Sequence, residues 1–216
     1  MQNWIFLSLV FLFVGISCKC DKERIDGIIE TTKIQNEIIP EEEISLLNTL
    51  DSLGNYIYDT GEWTEIILPD STKIRVGDKS AEFKLYEQLQ NPDFIAQPHK
   101  NIDWITLDRV YFTTGKSELT ENSNRQIQHL VILLNAYPNA KIKIGGFTDN
   151  QGQDETNIRI STGRAKNIAN QLIENGVDAL QIESEGFGAI NFVCEANDTD
   201  ECKAKNRRVD IKLLDK

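Results

Sequence analysis

The chain has 216 residues, 40% of them hydrophobic and 26% charged, with a formal net charge of −11. That composition excludes a disordered or membrane-embedded chain, and the length allows one domain of ordinary size plus a smaller one. The acidity argues against nucleic acid as a partner, because binding phosphates needs a basic face.

The charge is unevenly spread. Residues 1–106 carry 9 Lys and Arg against 18 Asp and Glu, whereas residues 107–216 carry 14 against 16. The C-terminal half is therefore the better candidate for an anionic or zwitterionic ligand. In chain order, the first feature is the apolar run Trp4–Ile16. As a helix it would rise about 20 Å, short of the ~30 Å hydrocarbon core, which suits a signal-peptide core. Only the N-terminal amine supplies positive charge in front of it, so a retained anchor stays open. Gly15-Ile16-Ser17-Cys18 resembles a bacterial lipobox, with Gly15 where Leu is usual. Residues 1–17 are thus expected to be a leader and Cys18 the lipidated residue, since two or more acyl chains anchor stably. An ordinary secreted protein with Cys18 and Cys20 free or paired is the alternative.

Residues 18–39 read as a tether. Pro40-Glu41-Glu42-Glu43 is a helix start, because Pro suits the first position and acids suit the positive end of the dipole. Ile44, Leu47 and Leu50 recur at helical spacing and Gly54 ends the pattern. Ile66–Val76 predicts a β-hairpin turning at Pro69-Asp70-Ser71-Thr72. Ser80–Gln90 predicts a helix with Phe83, Tyr86 and Leu89 on one face, stopped by Asn91-Pro92. Residues 40–100 are expected to form a small α+β module, with Gln97-Pro98-His99-Lys100 as linker.

Strand and helix patterns alternate from there to the end. Trp104–Phe112 alternates as a strand. Thr120–Ala136 places Ile127, Leu130, Val131 and Leu134 at helical spacing. Lys141–Phe147 predicts a strand whose Gly145 and Gly146 allow close backbone approach. Asp154–Asn175 predicts a helix burying Ile158, Ala165, Ile168, Ala169, Leu172 and Ile173, with Gly176 as its cap. Gln181–Gly186 and Arg207–Leu214 predict two more strands, the last with Val209, Ile211 and Leu213 on one face. The expectation for residues 101–216 is a βαβαβ–loop–β domain of the α+β class, one sheet covered by two helices.

Cys194 and Cys202 lie close together in an acidic loop. In an exported protein they are expected to form a disulfide. A zinc site is the rival, but His99 and His129 have no metal-ligand spacing to them. Asn197-Asp198-Thr199-Asp200-Glu201 raises calcium as a candidate, and a solvated loop closed by the disulfide accounts for it. No cofactor motif is present.

Three ordered segments carry a family resemblance. Lys143-Ile144-Gly145-Gly146-Phe147-Thr148-Asp149-Asn150-Gln151-Gly152 is similar to the I-x-G-H-T-D-x-x-G signature of the OmpA-like peptidoglycan-binding family. Asn157–Ala165 is similar to its N-x-x-L-S-x-x-R-A element, and Asn206–Ile211 to its N-R-R-V-x-I close. Phe147 stands where the family has His or Tyr, and Ile160 where it has Leu. The resemblance covers residues 105–215. It implies binding of the meso-diaminopimelate of the peptide stem in peptidoglycan.

The chemistry fits that ligand. Its free end carries an ammonium and a carboxylate on one carbon, so reading it takes a fixed anion and a fixed cation. The resemblance assigns these roles to Asp149 and to Arg164, whose planar fork matches a carboxylate. Asn157, Thr148 and Arg207 are the expected supports. The implied protein is a non-catalytic lipoprotein of the outer membrane facing the periplasm, joined to the membrane through the N-terminal lipid and to peptidoglycan through this domain. The alternative is an anchoring subunit of a larger envelope machine, with residues 40–95 contacting other envelope proteins. A wall-acting hydrolase or amidase has little support: there is no G-x-S-x-G, no H-E-x-x-H and no Cys–His pair, and of the acid pair Asp149 and Asp154 the first is already accounted for.

Overall fold

The structure, a computed structural model, describes residues 49–97, 102–113 and 115–216. The expected leader, Cys18, Cys20, the expected tether and the start of the helix expected from Pro40 lie outside them. The described part of that expected helix, Thr49–Gly54, is not helical. There the Asp51 carboxylate takes the backbone N–H groups of Leu53 and Asn55, each at 2.8 Å, and the resulting turn lets Leu50 form a β-bridge with Tyr56.

The hairpin forms as expected. β1 (Trp63–Ile67) pairs antiparallel with β2 (Lys73–Gly77) around the Pro69–Thr72 turn. Ser71 takes φ 69° there, and the Asp70 carboxylate accepts from the Thr72 N–H at 2.9 Å. Helix α1 (Ala81–Gln90) starts where the Ser80 hydroxyl accepts from the Phe83 N–H at 3.3 Å. Its deeply buried apolar residues are Ala81, Leu85 and Leu89. Phe83 and Tyr86, expected to lead that face, are only partly buried at its flanks.

The main sheet has strand order β3-β6-β4-β5. β3 (Ile105–Thr106) is far shorter than the expected Trp104–Phe112 strand. After Leu107 the chain turns inward at Asp108, whose carboxylate accepts from the Ala81 N–H at 2.7 Å. Helix α2 (Asn124–Ala136) follows a 3-10 turn. β4 (Lys141–Phe147) then pairs parallel with β5 (Ile182–Gly188) and antiparallel with β6 (Val209–Asp215). Helix α3 (Asp154–Glu174) connects β4 to β5, and Gly176, at φ 101°, follows its end.

Gly146 and Gly186 let α3 press its backbone onto the sheet. A Cβ at Gly146 would sit 2.1 Å from the Ser161 carbonyl oxygen, and one at Gly186 would sit 2.2 Å from the Thr162 nitrogen. The buried stripe of α3 is Asn157, Ser161, Arg164, Ala165, Ile168, Ala169 and Leu172. Ile158 and Ile173, expected inward, are instead 46% and 38% exposed. Asn157 and Arg164, which line a cleft, and Ser161, whose hydroxyl accepts from the Gly188 N–H, occupy positions a purely apolar stripe would have taken.

Where a loop is expected between β5 and β6, the chain forms helix α4 (Asp200–Asn206). The Thr199 hydroxyl accepts from the Cys202 N–H at 3.1 Å, acids occupy the first turn, and Lys203 and Lys205 occupy the last. The Cys194–Cys202 disulfide spans a Cα–Cα distance of 5.3 Å. Asn206, fully buried, accepts from the Val193 and Cys194 N–H groups and donates to the Cys194 carbonyl. The first residue of the N-R-R-V segment thus stitches this connection to β6.

One core serves all of this. Ile66, Leu68, Ile74, Val76, Leu85 and Leu89 belong to the same buried cluster as Leu130, Ile144, Ile168 and Ile211. The module expected at 40–100 and the domain expected at 101–216 therefore share a core over their described residues. A buried polar network reinforces the join. Glu82 on α1 accepts from Arg109 Nη2 at 2.6 Å and from Gln126 Nε2 at 2.9 Å, and its Oε1 lies 3.2 Å from His129 Nδ1. Asp108 accepts from Arg109 Nε and Gln126 Nε2, both at 2.9 Å. Burial pushes the Glu82 carboxyl up, but the His129 contact, the Arg109 charge and Gln126 outweigh it and hold it below the usual range. Asp108 goes the other way, raised by burial and by the Glu82 charge.

Candidate functional site

The site lies where the chain leaves β4. Thr148 is the first residue past the strand, and its N–H still bonds the Gly188 carbonyl at 2.9 Å, which fixes the exit direction. Its hydroxyl donates to the Asp149 carbonyl at 2.9 Å. That hydroxyl braces the loop. The Asp149 carboxylate accepts from the Gln151 N–H at 3.0 Å and from Arg207 Nη1 at 2.9 Å. Arg207 enters from the end of α4, so this ion pair spans two connections of the sheet.

Asn157 and Arg164 stand on α3 seven residues apart, two turns along one face. Asn157 is buried, and its Nδ2 has no hydrogen-bond partner among the described residues. Arg164 is 5% exposed. Its Nε donates to the Lys116 carbonyl at 3.1 Å, and its guanidinium lies 5.0 Å from the centre of the Phe112 ring. The neighbouring Asn167 Nδ2 holds the Ser117 carbonyl at 2.7 Å, which pins the same loop. No ion pair to Arg164 forms among the described residues. Burial, and then the positive charge of Arg207, push its pKa down to about 10, against the pull of Asp149. The guanidinium remains charged at neutral pH but lacks an anion at contact distance among the described residues.

Thr148, Asp149, Asn157, Arg164 and Arg207 all line one cleft of about 390 Å³. That volume falls within the range of small-ligand sites. Arg207, expected to support the ligand, is the ion-pair partner of Asp149. Phe147 does not line the cleft. Its ring is on the opposite face of the sheet, stacked on Phe187 at 5.1 Å with the Arg208 guanidinium 4.0 Å from its centre. The departure from His or Tyr at this position therefore changes no residue that lines the cleft. Arg208 is committed to Asp210 at 2.9 Å.

Sequence reasoning missed a whole wall. Leu53, Gly54, Asn55, Tyr56 and Tyr58 also line the cleft, and Arg207 Nη2 donates to the Gly54 carbonyl at 2.9 Å. No periodic pattern marks these residues. Only the Asp51-x-x-Gly54 turn chemistry hints at an ordered segment. Among the described residues, no group of three or more His, Cys, Asp or Glu could hold a metal ion, and no helix is long and apolar enough to cross a membrane.

Fold and cleft together define an α+β domain that offers one carboxylate and one under-neutralised guanidinium in the same opening. Residues 111–207 match the OmpA family. The probable lipoprotein YiaD of Escherichia coli (strain K12) is 35% identical over 106 residues, 49% of this chain and 48% of that protein. The peptidoglycan-binding protein ArfA of Mycobacterium tuberculosis (strain ATCC 25618 / H37Rv) is 44% identical over 110 residues, 51% of this chain and 33% of that protein. The chain thus spans less than half the length of each of these relatives. Among solved structures, the peptidoglycan-associated lipoprotein from Burkholderia pseudomallei is 27% identical, covering 48% of this chain and 87% of that one, with a TM-score of 0.46.

Proposed function

We propose that this protein binds peptidoglycan without catalysis, through the free end of diaminopimelate in the stem peptide. The observation that carries the reading is Arg164. Among the described residues, this buried guanidinium hydrogen-bonds through Nε to a carbonyl and keeps its outer fork for a carboxylate. Asp149 lines the same cleft, and a carboxylate that already accepts two hydrogen bonds retains lone pairs for an ammonium. An ammonium and a carboxylate on one carbon match that pair of groups. The names of the relatives, a probable lipoprotein and a peptidoglycan-binding protein, agree with this reading.

With Cys18 lipidated, the protein would clip the outer membrane to the wall from its periplasmic side. Pull-down by purified peptidoglycan tests the site. Asp149→Ala and Arg164→Ala are each expected to abolish or strongly weaken capture while the protein stays folded, and retained capture by both variants rejects the assignment. Loss of either charge leaves a ligand charge unpaired, at a cost on the order of 2–5 kcal/mol. Cys18→Ala is expected to move the protein from the membrane fraction to the soluble one, and unchanged fractionation counts against the lipid anchor.

A further inference from the structure

The wall formed by Leu53–Tyr58 lies upstream of the segment that matches the family. It is built before any ligand arrives. The Asp51 carboxylate takes the N–H groups of Leu53 and Asn55 through one oxygen and the Asn55 side-chain amide through the other. The Leu50–Tyr56 bridge and the Ile57 N–H to Thr49 carbonyl bond close the turn from both sides. Two cations fasten it to the far side of the cleft. Arg207 Nη2 holds the Gly54 carbonyl, and Lys205 Nζ lies 4.6 Å from the centre of the Tyr56 ring, itself edge-on to Tyr58.

The chemistry of this wall differs from that of the floor. Asp149 and Arg164 supply charge, whereas the wall supplies Leu53 and two tyrosine rings. Leu53 is 67% exposed although it lines the cleft, so an apolar side chain stands open at the rim. A zwitterionic head alone offers it no partner. The residue that follows the diamino acid in a stem peptide does, through its alanyl methyl group.

We propose that Leu53 and Tyr56 form a specificity wall that reads the apolar part of the stem peptide beyond the diamino acid. The inference rests on the peptidoglycan reading above. It makes the upstream segment part of the binding site, so that a stem peptide is held better than the isolated amino acid.

The test titrates the full chain with free meso-diaminopimelate and with the tetrapeptide L-Ala-D-Glu-meso-diaminopimelate-D-Ala. Leu53→Ser alters an exposed side chain and leaves the fold intact. Tyr56→Ala is the second variant. Each is expected to weaken tetrapeptide binding roughly 5- to 20-fold, the order for losing one apolar contact, while affinity for the free amino acid stays within about twofold. Arg164→Ala should weaken both ligands alike. Unchanged tetrapeptide affinity in both wall variants, or equal loss for both ligands, overturns the wall with the head-group site intact. Binding of neither ligand by the wild-type chain overturns the underlying reading and the wall with it.

Discussion

Arg207 joins Asp149 to the upstream segment: Nη1 lies 2.9 Å from the Asp149 carboxylate, and Nη2 lies 2.9 Å from the Gly54 carbonyl. One guanidinium thus sets both the orientation of the anion and the position of the facing wall. The Arg207 side chain is 35% exposed, so the pair is screened. We predict that Arg207→Ala lowers stability by only about 0.5–1 kcal/mol in urea denaturation. Peptidoglycan capture should fall further than that small change accounts for, though less than with Arg164→Ala. Capture equal to wild type would show that the bridge does not organise the cleft.

Arg164→Lys separates charge from shape. The ammonium keeps the positive charge but loses the planar fork and the stacking on Phe112. Binding of a diaminopimelate stem peptide is expected to weaken about tenfold or more, as for loss of a bidentate contact. Calorimetry against the lysine-containing stem peptide, which lacks the extra carboxylate, should show little difference between the wild-type protein and this variant.

Glu82 should govern part of the acid sensitivity. Its folded-state pKa lies below the ordinary value of 4.5. Its contribution is therefore fully present above that value and is lost as pH falls through the folded one. Asp108 has the opposite sign: its raised folded pKa means that ionisation weakens the fold as pH rises from 3.8 through the raised value. Glu82→Gln is expected to cost about 1–3 kcal/mol at pH 7, held down because removing the Glu82 charge relieves Asp108. Urea midpoints at pH 7 and pH 3 should show the gap between variant and wild type narrowing in acid.

The disulfide closes a short loop, with its cysteines 8 residues apart. By the chain-entropy argument its loss costs about 2–3 kcal/mol. Cys194→Ser with Cys202→Ser is expected to lower the denaturation midpoint accordingly. Asn206 still ties the Val193–Cys194 backbone to the start of β6, so binding should survive in the folded fraction.

Where periodicity and local chemistry agree, the fold can be read ahead of the structure. The bounds of β4, the inward residues of α2 and the turn at Pro69–Thr72 are such cases. Helix α3 shows the limit. Its apolar pattern points Ile158 and Ile173 inward, but Asn157 and Arg164 take buried positions that line the cleft, and Ser161 takes one where its hydroxyl accepts from the Gly188 N–H. Helix α4 carries its own signals, Thr199 as cap and lysines in the last turn, which are masked by the acidic run and the nearby cysteines. The wall at 53–58 is illegible for a different reason: it becomes a wall only by tertiary contact with Arg207 and Lys205. The motifs single out the charged residues of the cleft, yet the pairing of Asp149 with Arg207 depends on how α4 ends, which spacing does not reveal.

The turn at Asp51 also sits at a mechanical junction. Displacing Thr49 or Leu50 would strain the Ile57–Thr49 bond and the Leu50–Tyr56 bridge. From there the path runs through Gly54 and Arg207 to the Asp149 carboxylate. A displacement of this turn would thus reach the anion of the cleft.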